Sequence, residues 1–493
     1  MAVEWLVDGL RQRGVEWISA LCGHGLDPLF DACHRGGIRI VDVRNEQTAG
    51  YIADYWGRLT RRPGVCASSS GVAVANLLTG AMNAWFDGAP MLAISGSADL
   101  PTLGSGSFQD SPHVDLAAPV TNLSRRLDDP ARVLELLAQA WPTRGPAHIM
   151  LPMDVQRAQV DETDLVAAPN QSPPPPATEP LDLVGVERPL IIAGSGVYYA
   201  GEGEALVNCA ERLRIPVQTP IWDRGVFNHD SEVFCGVVGS AAGGPDLIDR
   251  ADLLILAGVE TDYRIGYLKQ AKRHVRMLRG WESLTGGPWT GWCGEARAAR
   301  DAYTAKIDAA GRGHLATHAV DIVDAIRQTL PADGVLAIDG GSIGQWAHQL
   351  LCDRRYPSHW LTCGRSGVVG YGLAGAMAAR LAHPDRAVVL LSGDGAFTFT
   401  VAEIECAVRQ KLPFVAIVAD DRCWGITHAG HLRQFGHGIG TQLGEIRFDD
   451  LARSMGARGE RIESAARVGP AIREGIKSGQ VTVLHVPIVG GNP

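Results

Sequence analysis

The sequence predicts an α/β protein made of three doubly wound parallel-sheet domains. Three observations carry this reading. Short apolar runs of strand length alternate with helical patterns, with glycine or small polar residues between them. At 493 residues the chain has room for about three domains. A block of prolines at 173–176, set among small and polar residues, reads as a semi-rigid extended linker that ends the first domain.

In the first domain, strands are expected at 38–43, 65–67 and 91–95, with helices from about 46 to 59 and 72 to 84 between them. Glu46 falls in the first turn of its helix, where the helix dipole favours an acid. After the linker, residues 189–193 and 253–257 read as strands, and Gly194-Ser195-Gly196 as a turn; Gly-x-Gly alone is weak evidence for a dinucleotide site. In the last domain, 335–339 reads as a strand running into Asp339-Gly340-Gly341-Ser342, whose small residues let backbone amides approach a phosphate.

The most informative stretch follows. Residues 387–391 and 414–419 are apolar runs of buried-strand type, and Val401, Ile404 and Val408 between them recur at helical spacing. Strand, helix, strand is one right-handed crossover. It brings Asp394, in Gly393-Asp394-Gly395, and Asp421, in Asp420-Asp421, to the carboxyl ends of parallel neighbours, where ligands bind in such sheets. Two carboxylates there suit Mg²⁺, which takes the rest of its oxygens from phosphate and water. Taken alone, the same residues equally suit a turn that closes a strand.

Composition narrows the class. The chain is 46% apolar and 20% charged, as in a soluble globular enzyme. A net charge of −9 argues against nucleic acid as a partner, yet leaves a small anionic substrate open, because a pocket can be locally positive. The cysteines are scattered and none forms a Cys-x-x-Cys pair, which reads as reduced thiols in a cytoplasmic protein. Residues 1–14 look like an amphipathic helix and not a signal peptide, and no run of apolar residues reaches membrane-spanning length.

The stretch from Gly393-Asp394-Gly395 to Asp420-Asp421 resembles the thiamine-diphosphate motif, which opens on Gly-Asp-Gly and ends on Asn-Asn; here the ending is Asp-Asp. Other blocks continue the likeness in order: Arg44-Asn45-Glu46-Gln47, Pro63-Gly64-Val65, Ser70-Gly71, Asn76-Leu77, Phe108-Gln109-Asp110 and Leu151-Pro152-Met153-Asp154. Together they are similar to the acetolactate synthase-like superfamily, of the 2-oxo acid decarboxylase and carboligase type. That resemblance divides the chain into a pyrimidine-binding domain (1–167), the linker (168–180), a central domain (181–330) and a diphosphate- and Mg²⁺-binding domain (331–493).

The resemblance also implies roles. Glu46 is the carboxyl that hydrogen-bonds a pyrimidine ring nitrogen and activates the cofactor. Gln109 and His24 are catalytic candidates, and Phe108, His113 and Arg365 are candidates for touching substrate. Ser70, Asn76, Gly341, Ser342, Gly367, Val369, Gly393, Gly395 and Ala396 join Glu46, Asp394 and Asp421 around thiamine diphosphate. Asp394, Asp421 and the carbonyl of Cys423 hold Mg²⁺. Val369 stands where relatives carry a larger apolar residue. Some relatives bind FAD centrally, but residues 274–280 are basic where those relatives place an acidic strand end, so FAD is not expected.

The implied activity is a carbon–carbon lyase or carboligase acting on a 2-oxo acid or related carbonyl compound. The implied assembly is a homodimer or homotetramer with its active site between subunits, and neither membrane nor nucleic acid is an expected partner. A diketone hydrolase or acyl-thioester lyase of the same superfamily is the nearest alternative. A noncatalytic cofactor-binding homologue or regulatory subunit is the alternative of another class, to which the Asp-Asp ending and the small Val369 point.

Overall fold

The computed structural model describes residues 1–166, 181, 183–491 and 493. The expected linker at 168–180 lies outside the described residues. The chain divides into two compact units. One holds residues 1–166 with Leu373–Pro384 and Thr400–Leu412; the other holds the described residues from 181 to 372 with Asp385–Phe399 and Pro413–Pro493.

The first unit is built on a six-stranded sheet. Its strands are β1 (Trp17–Ala20), β2 (Arg39–Asp42), β3 (Gly64–Ser68), β4 (Met91–Ser97), β5 (Ser124–Arg126) and β6 (Pro146–Pro152), in the order β2-β1-β3-β4-β6-β5. Every pairing is parallel. The chain leaves β1 in one direction to reach β2 and returns past it to β3, so the order reverses between β1 and β3. The loops after these two strands therefore part and leave a crevice.

The second unit carries two five-stranded parallel sheets. One contains β7 (Pro189–Ala193), β8 (Val217–Pro220), β9 (Phe234–Val238), β10 (Leu253–Ala257) and β11 (His274–Met277), in the order β11-β10-β7-β8-β9. The other contains β12 (Val335–Asp339), β13 (Val388–Gly393), β14 (Val415–Asp420), β15 (Arg458–Arg461) and β16 (Thr482–Pro487), in the order β12-β13-β14-β16-β15. Leu336, Ile338, Val389, Leu391 and Ile417 from the latter belong to one continuous core with Ile343, Trp346 and Leu350 of the helix Gly341–Leu351. Strands buried on both faces explain why they read as unbroken apolar runs.

Three parallel sheets, each with helices packed on it, confirm the predicted fold class. The strand at 189–193, that at 253–257 and that at 335–339 match their expected bounds. The expected turn at 194–196 is instead the start of a short helix, Ser195–Tyr199; Gly201, at φ +77°, breaks it from the next helix, Gly203–Leu213. Here Ser195 donates its amide to Asp223 (3.1 Å), and Asp223 is ion-paired with the buried Arg264 (2.6 Å). These contacts tie the loop after β7 to those after β8 and β10.

A buried charge cluster staples the first unit. Arg58, on the helix Glu46–Thr60, is fully buried, 2.9 Å from Asp54 and 3.5 Å from Asp87, the last residue of the helix Val72–Asp87. Asn83 donates to Asp54 (2.7 Å), and its carbonyl accepts from Arg58 (3.2 Å). Burial pushes the Asp54 carboxyl up to about 6, even against the pull of Arg58. Removing the cation leaves two dry acids, so Arg58→Met is expected to destabilise the protein by about 3–5 kcal/mol. Lys306→Ala, at an exposed site, stays within ~0.5 kcal/mol. Urea denaturation of both variants, compared by midpoint, measures the difference.

Candidate active site

β12, β13 and β14 are neighbours, and Gly393 at the end of β13 pairs with Ala419 near the end of β14. The residues beyond these strands line a cleft of about 330 Å³. Asp394 and Asp421 therefore meet at one sheet edge, as the crossover pattern predicts.

Two helices begin at this cleft: Gly341–Leu351 and Gly425–Phe435. Gly341, Ser342, Gly393, Gly395 and Ala396 all line it. Their small size matters. A Cβ on Gly395 would stand 2.8 Å from the Trp424 ring, and one on Gly425 would collide with the Ser342 hydroxyl. The Ser342 hydroxyl is buried without a hydrogen-bond partner. Two helix N-termini and a buried, unmatched hydroxyl form a cradle with the chemistry of a phosphate site.

The acids complete it. Burial, then the nearby Asp421 carboxylate, pushes Asp394 up to about 7. Burial likewise raises Asp421, although the Cys423 amide donates to it (3.1 Å). Both ask for a cation. Among the described residues no three His, Cys, Asp or Glu side chains group as a metal site, so a cation here would use two carboxylates and complete its shell with other oxygens. Cys423 lines the same cleft, where its carbonyl is the expected third ligand.

Asp420 is placed differently. His485 on β16 donates Nε2–H to it (2.8 Å), and the Arg422 amide donates to its other oxygen (3.1 Å). Burial alone would raise this carboxyl, but the His485 hydrogen bond and charge outweigh it and hold the group low. The first acid of the Asp-Asp pair is thus engaged within the fold, a pairing that no local pattern reveals because His485 is distant in sequence.

Gly367 and Val369 form another wall. Their loop is held by Asp339, which accepts from the amides of Gly370 (3.0 Å) and Gly372 (2.9 Å). Asp339 is fully buried, which pushes its carboxyl up to about 7.

In the first unit, Glu46 starts the helix Glu46–Thr60, with Asn45 as its N-cap, 2.8 Å from the Gln47 amide. Glu46 is 9% exposed, and Asn76 donates to its carboxyl (3.1 Å). At the reversal between β1 and β3 lie His24 and Ser70. Ser70 donates to the Gln109 side-chain oxygen (3.2 Å), and His24 stacks edge-on against Phe108 with centroids 5.3 Å apart. Gln109 adopts φ +57°, a left-handed conformation rare for such a side chain and frequent at functional sites.

Two candidates are engaged by the chain itself. His113 is held inside the first unit. It is 1% exposed, and its Nε2 accepts from the Gly71 amide (3.0 Å) while Nδ1 faces Ser95 (3.3 Å). Burial drives it down to about 4, so it is neutral. Arg365 faces Glu260 (3.8 Å) and is not among the described residues lining the cleft. The sequence reading missed Trp222, His348, Trp424 and Gly425 as cleft residues. The Trp-Gly that opens a helix straight after the acid pair was the available signal for the last two; Trp222 and His348 carried none.

Comparison with known proteins agrees with this geometry. Three models of thiamine pyrophosphate enzymes match in order: the N-terminal TPP binding domain at residues 1–117, the central domain at 183–277 and the C-terminal TPP binding domain at 339–486. The chain is 28% identical to the acetolactate synthase large subunit IlvG of Mycobacterium tuberculosis, over 97% of this chain and 94% of that protein. It is 26% identical to the acetolactate synthase isozyme 2 large subunit of Escherichia coli, over 98% and 95%. It is also 26% identical to human 2-hydroxyacyl-CoA lyase 2, over 97% and 88%. With all three domains matched in sequence order and relatives aligned almost end to end, the chain belongs to the thiamine-diphosphate-dependent, acetolactate synthase-like superfamily of enzymes.

Proposed function

We propose that this enzyme uses thiamine diphosphate and Mg²⁺ to break or form a carbon–carbon bond in a 2-oxo acid or related carbonyl compound. One observation carries the reading: a buried cradle of helix N-termini and an unpaired Ser342 hydroxyl sits beside two carboxylates that need a cation. The proposed domain bounds are 1–167, 181–330 and 331–493, joined by a linker at 168–180.

When bound, thiamine diphosphate supplies nucleophilic attack on a carbonyl carbon and storage of the electron pair released there. The chain supplies the rest. Gly341, Ser342, Gly393, Gly395 and Ala396 would hold the diphosphate, with Asp394, Asp421 and the Cys423 carbonyl around Mg²⁺. Gly367 and Val369 would bound the pyrimidine. Glu46 would keep a proton against a ring nitrogen, its carboxyl oriented by Asn76. Gln109, oriented by Ser70, and His24, braced by Phe108, would orient the substrate and move its protons. FAD is not proposed, because residues 274–280 are basic.

The relatives named 2-hydroxyacyl-CoA lyase support a second reading, cleavage of an acyl thioester with the same cradle. A noncatalytic role, to which the Asp-Asp ending and the small Val369 pointed, has less support, since Asp420 is engaged by His485 while Asp394 and Asp421 remain in the cleft.

Glu46→Gln is expected to lower kcat about 10²–10⁴-fold while thiamine diphosphate still binds. Steady-state kinetics with 2-oxo acids, beside calorimetry of cofactor binding, tests this; unchanged turnover defeats the assignment.

The cation should be pH-sensitive. Asp394, raised to about 7, holds a proton below that pH, and Mg²⁺ must displace it. Mg²⁺ affinity in the presence of thiamine diphosphate should rise about tenfold per unit from pH 5 to 7, then level off. Calorimetric titrations at pH 5.5, 6.5 and 7.5 measure it, and a flat profile contradicts it.

We also propose a homodimer or homotetramer in the cytoplasm, with the site shared between subunits. On the helix Val72–Asp87, Val72, Met82 and Trp85 are 76%, 45% and 42% exposed, an apolar face suited to a second copy. No described helix is long and apolar enough to cross a membrane. Trp85→Glu should shift the protein to monomers and abolish turnover together; light scattering on a sizing column, with activity across the peak, checks both.

A further inference from the structure

The helix Gly341–Leu351 does more than start at the phosphate cradle. Gly341, Ser342, Gln345 and His348 all line the cleft from this one helix. At 1.5 Å per residue, His348 lies about 9 Å further along it than Ser342. Trp222 and Cys363 line the same cleft. Gln345 has its side-chain oxygen engaged by the Ala241 amide (3.0 Å), but His348 has no such engagement at Nδ1. The ring is 1% exposed and packs edge-on to Tyr356, centroids 6.3 Å apart. A buried imidazole nitrogen facing no protein partner is costly unless a ligand answers it.

We propose that His348 forms a binding subsite at the far end of the cleft, for an uncharged hydrogen-bonding group on the substrate: an amide, ketone or hydroxyl. This rests on the proposed reaction with 2-oxo acids. The class of ligand follows from what surrounds the group. No lysine or arginine is among the described residues that line the cleft, and its charged residues are Asp394 and Asp421. A carboxylate at this end would be buried without a cation. An alkyl tail would leave Nδ1 unpaired. Burial also drives the imidazole down to about 3, so it meets a ligand as a neutral donor or acceptor.

Three 2-oxo acids of nearly equal shape separate these cases. 2-Oxoglutaramate ends in an amide, 2-oxoglutarate in a carboxylate and 5-methyl-2-oxohexanoate in a branched alkyl group. Steady-state consumption by the wild-type holoenzyme is measured beside calorimetric binding of each acid to the Glu46→Gln holoenzyme, whose expected slow turnover leaves binding to be read. The amide should exceed the other two roughly tenfold or more in kcat/KM and in affinity. His348→Leu should invert the order in favour of the alkyl tail, mainly through KM. His348→Asn, which keeps a polar atom near the place of Nδ1, should retain the amide preference.

Equal binding of the three acids, or a preference that survives His348→Leu, overturns the subsite. So does a loss of thiamine diphosphate affinity in His348→Leu, which would assign the residue to the cofactor. The two readings fail separately. If the amide binds preferentially through His348 but no acid is consumed by the wild type, the subsite stands and the proposed reaction falls. If all three are consumed alike before and after substitution, the reaction stands and the subsite falls.

Discussion

Acids that follow neighbouring strands of one sheet must share a dry cleft, and most of the C-terminal domain's local design answers that crowding. Desolvation disfavours each charge, and each charge disfavours the next. Asp420 is answered from inside, by His485 and a backbone amide. Asp394 and Asp421 are not: no described lysine or arginine lines their cleft, and both carboxyls are raised. An internal lysine would relieve the strain and close the site to metal. Leaving it unrelieved makes a divalent cation with phosphate oxygens the natural complement.

The first unit solves a different problem, holding short polar loops still at the reversal between β1 and β3. Its means is a chain of hydrogen bonds whose directions are all determined. The Gly71 amide donates to His113 Nε2, so the proton of that neutral ring is on Nδ1 and points to Ser95. Ser95 lies 2.9 Å from His148 Nε2, and His148 Nδ1 lies 2.9 Å from Ser124, whose hydroxyl donates to the Val114 carbonyl. Burial lowers both histidines, so neither adds a charge. The outcome is a rigid seat for Gly71, and Gly71 has to be glycine: its φ is +73° and a Cβ would press on Gln109 at 2.9 Å.

This explains which parts of the molecule were legible beforehand. The sheets were readable because strands buried on both faces leave unbroken apolar runs, and the meeting of Asp394 and Asp421 because a single crossover dictates where their strands end. Glu46 was singled out only through the family-like blocks around it; its own position explains an acid by the helix dipole alone. The burial of His113 gave no sign, because a histidine in a glycine- and serine-rich loop looks the same whether it faces substrate or backbone. The Glu260 contact of Arg365 gave none either, since it comes from another part of the chain. His485 and His348 gave no signal, because one owes its role to strand pairing and the other to the helix face it occupies.

The departure from Asn-Asn to Asp-Asp is where these strands of argument meet. An amide at position 420 would carry no charge and would need no counter-group. An acid there needs one, and the parallel pairing of β14 with β16 sets Val418 opposite His485, within reach of Asp420. His485 is braced on its other nitrogen by Asp449 (3.4 Å), which Arg453 holds in turn (2.8 Å). Exchanging either Asp420 or His485 alone leaves a buried group unmatched, at a cost of about 3–5 kcal/mol for a broken buried pair. The two positions therefore behave as one unit: of the two charges that Asp-Asp adds, the one on Asp420 is answered by the neighbouring strand, and the one on Asp421 stays in the cleft beside Asp394.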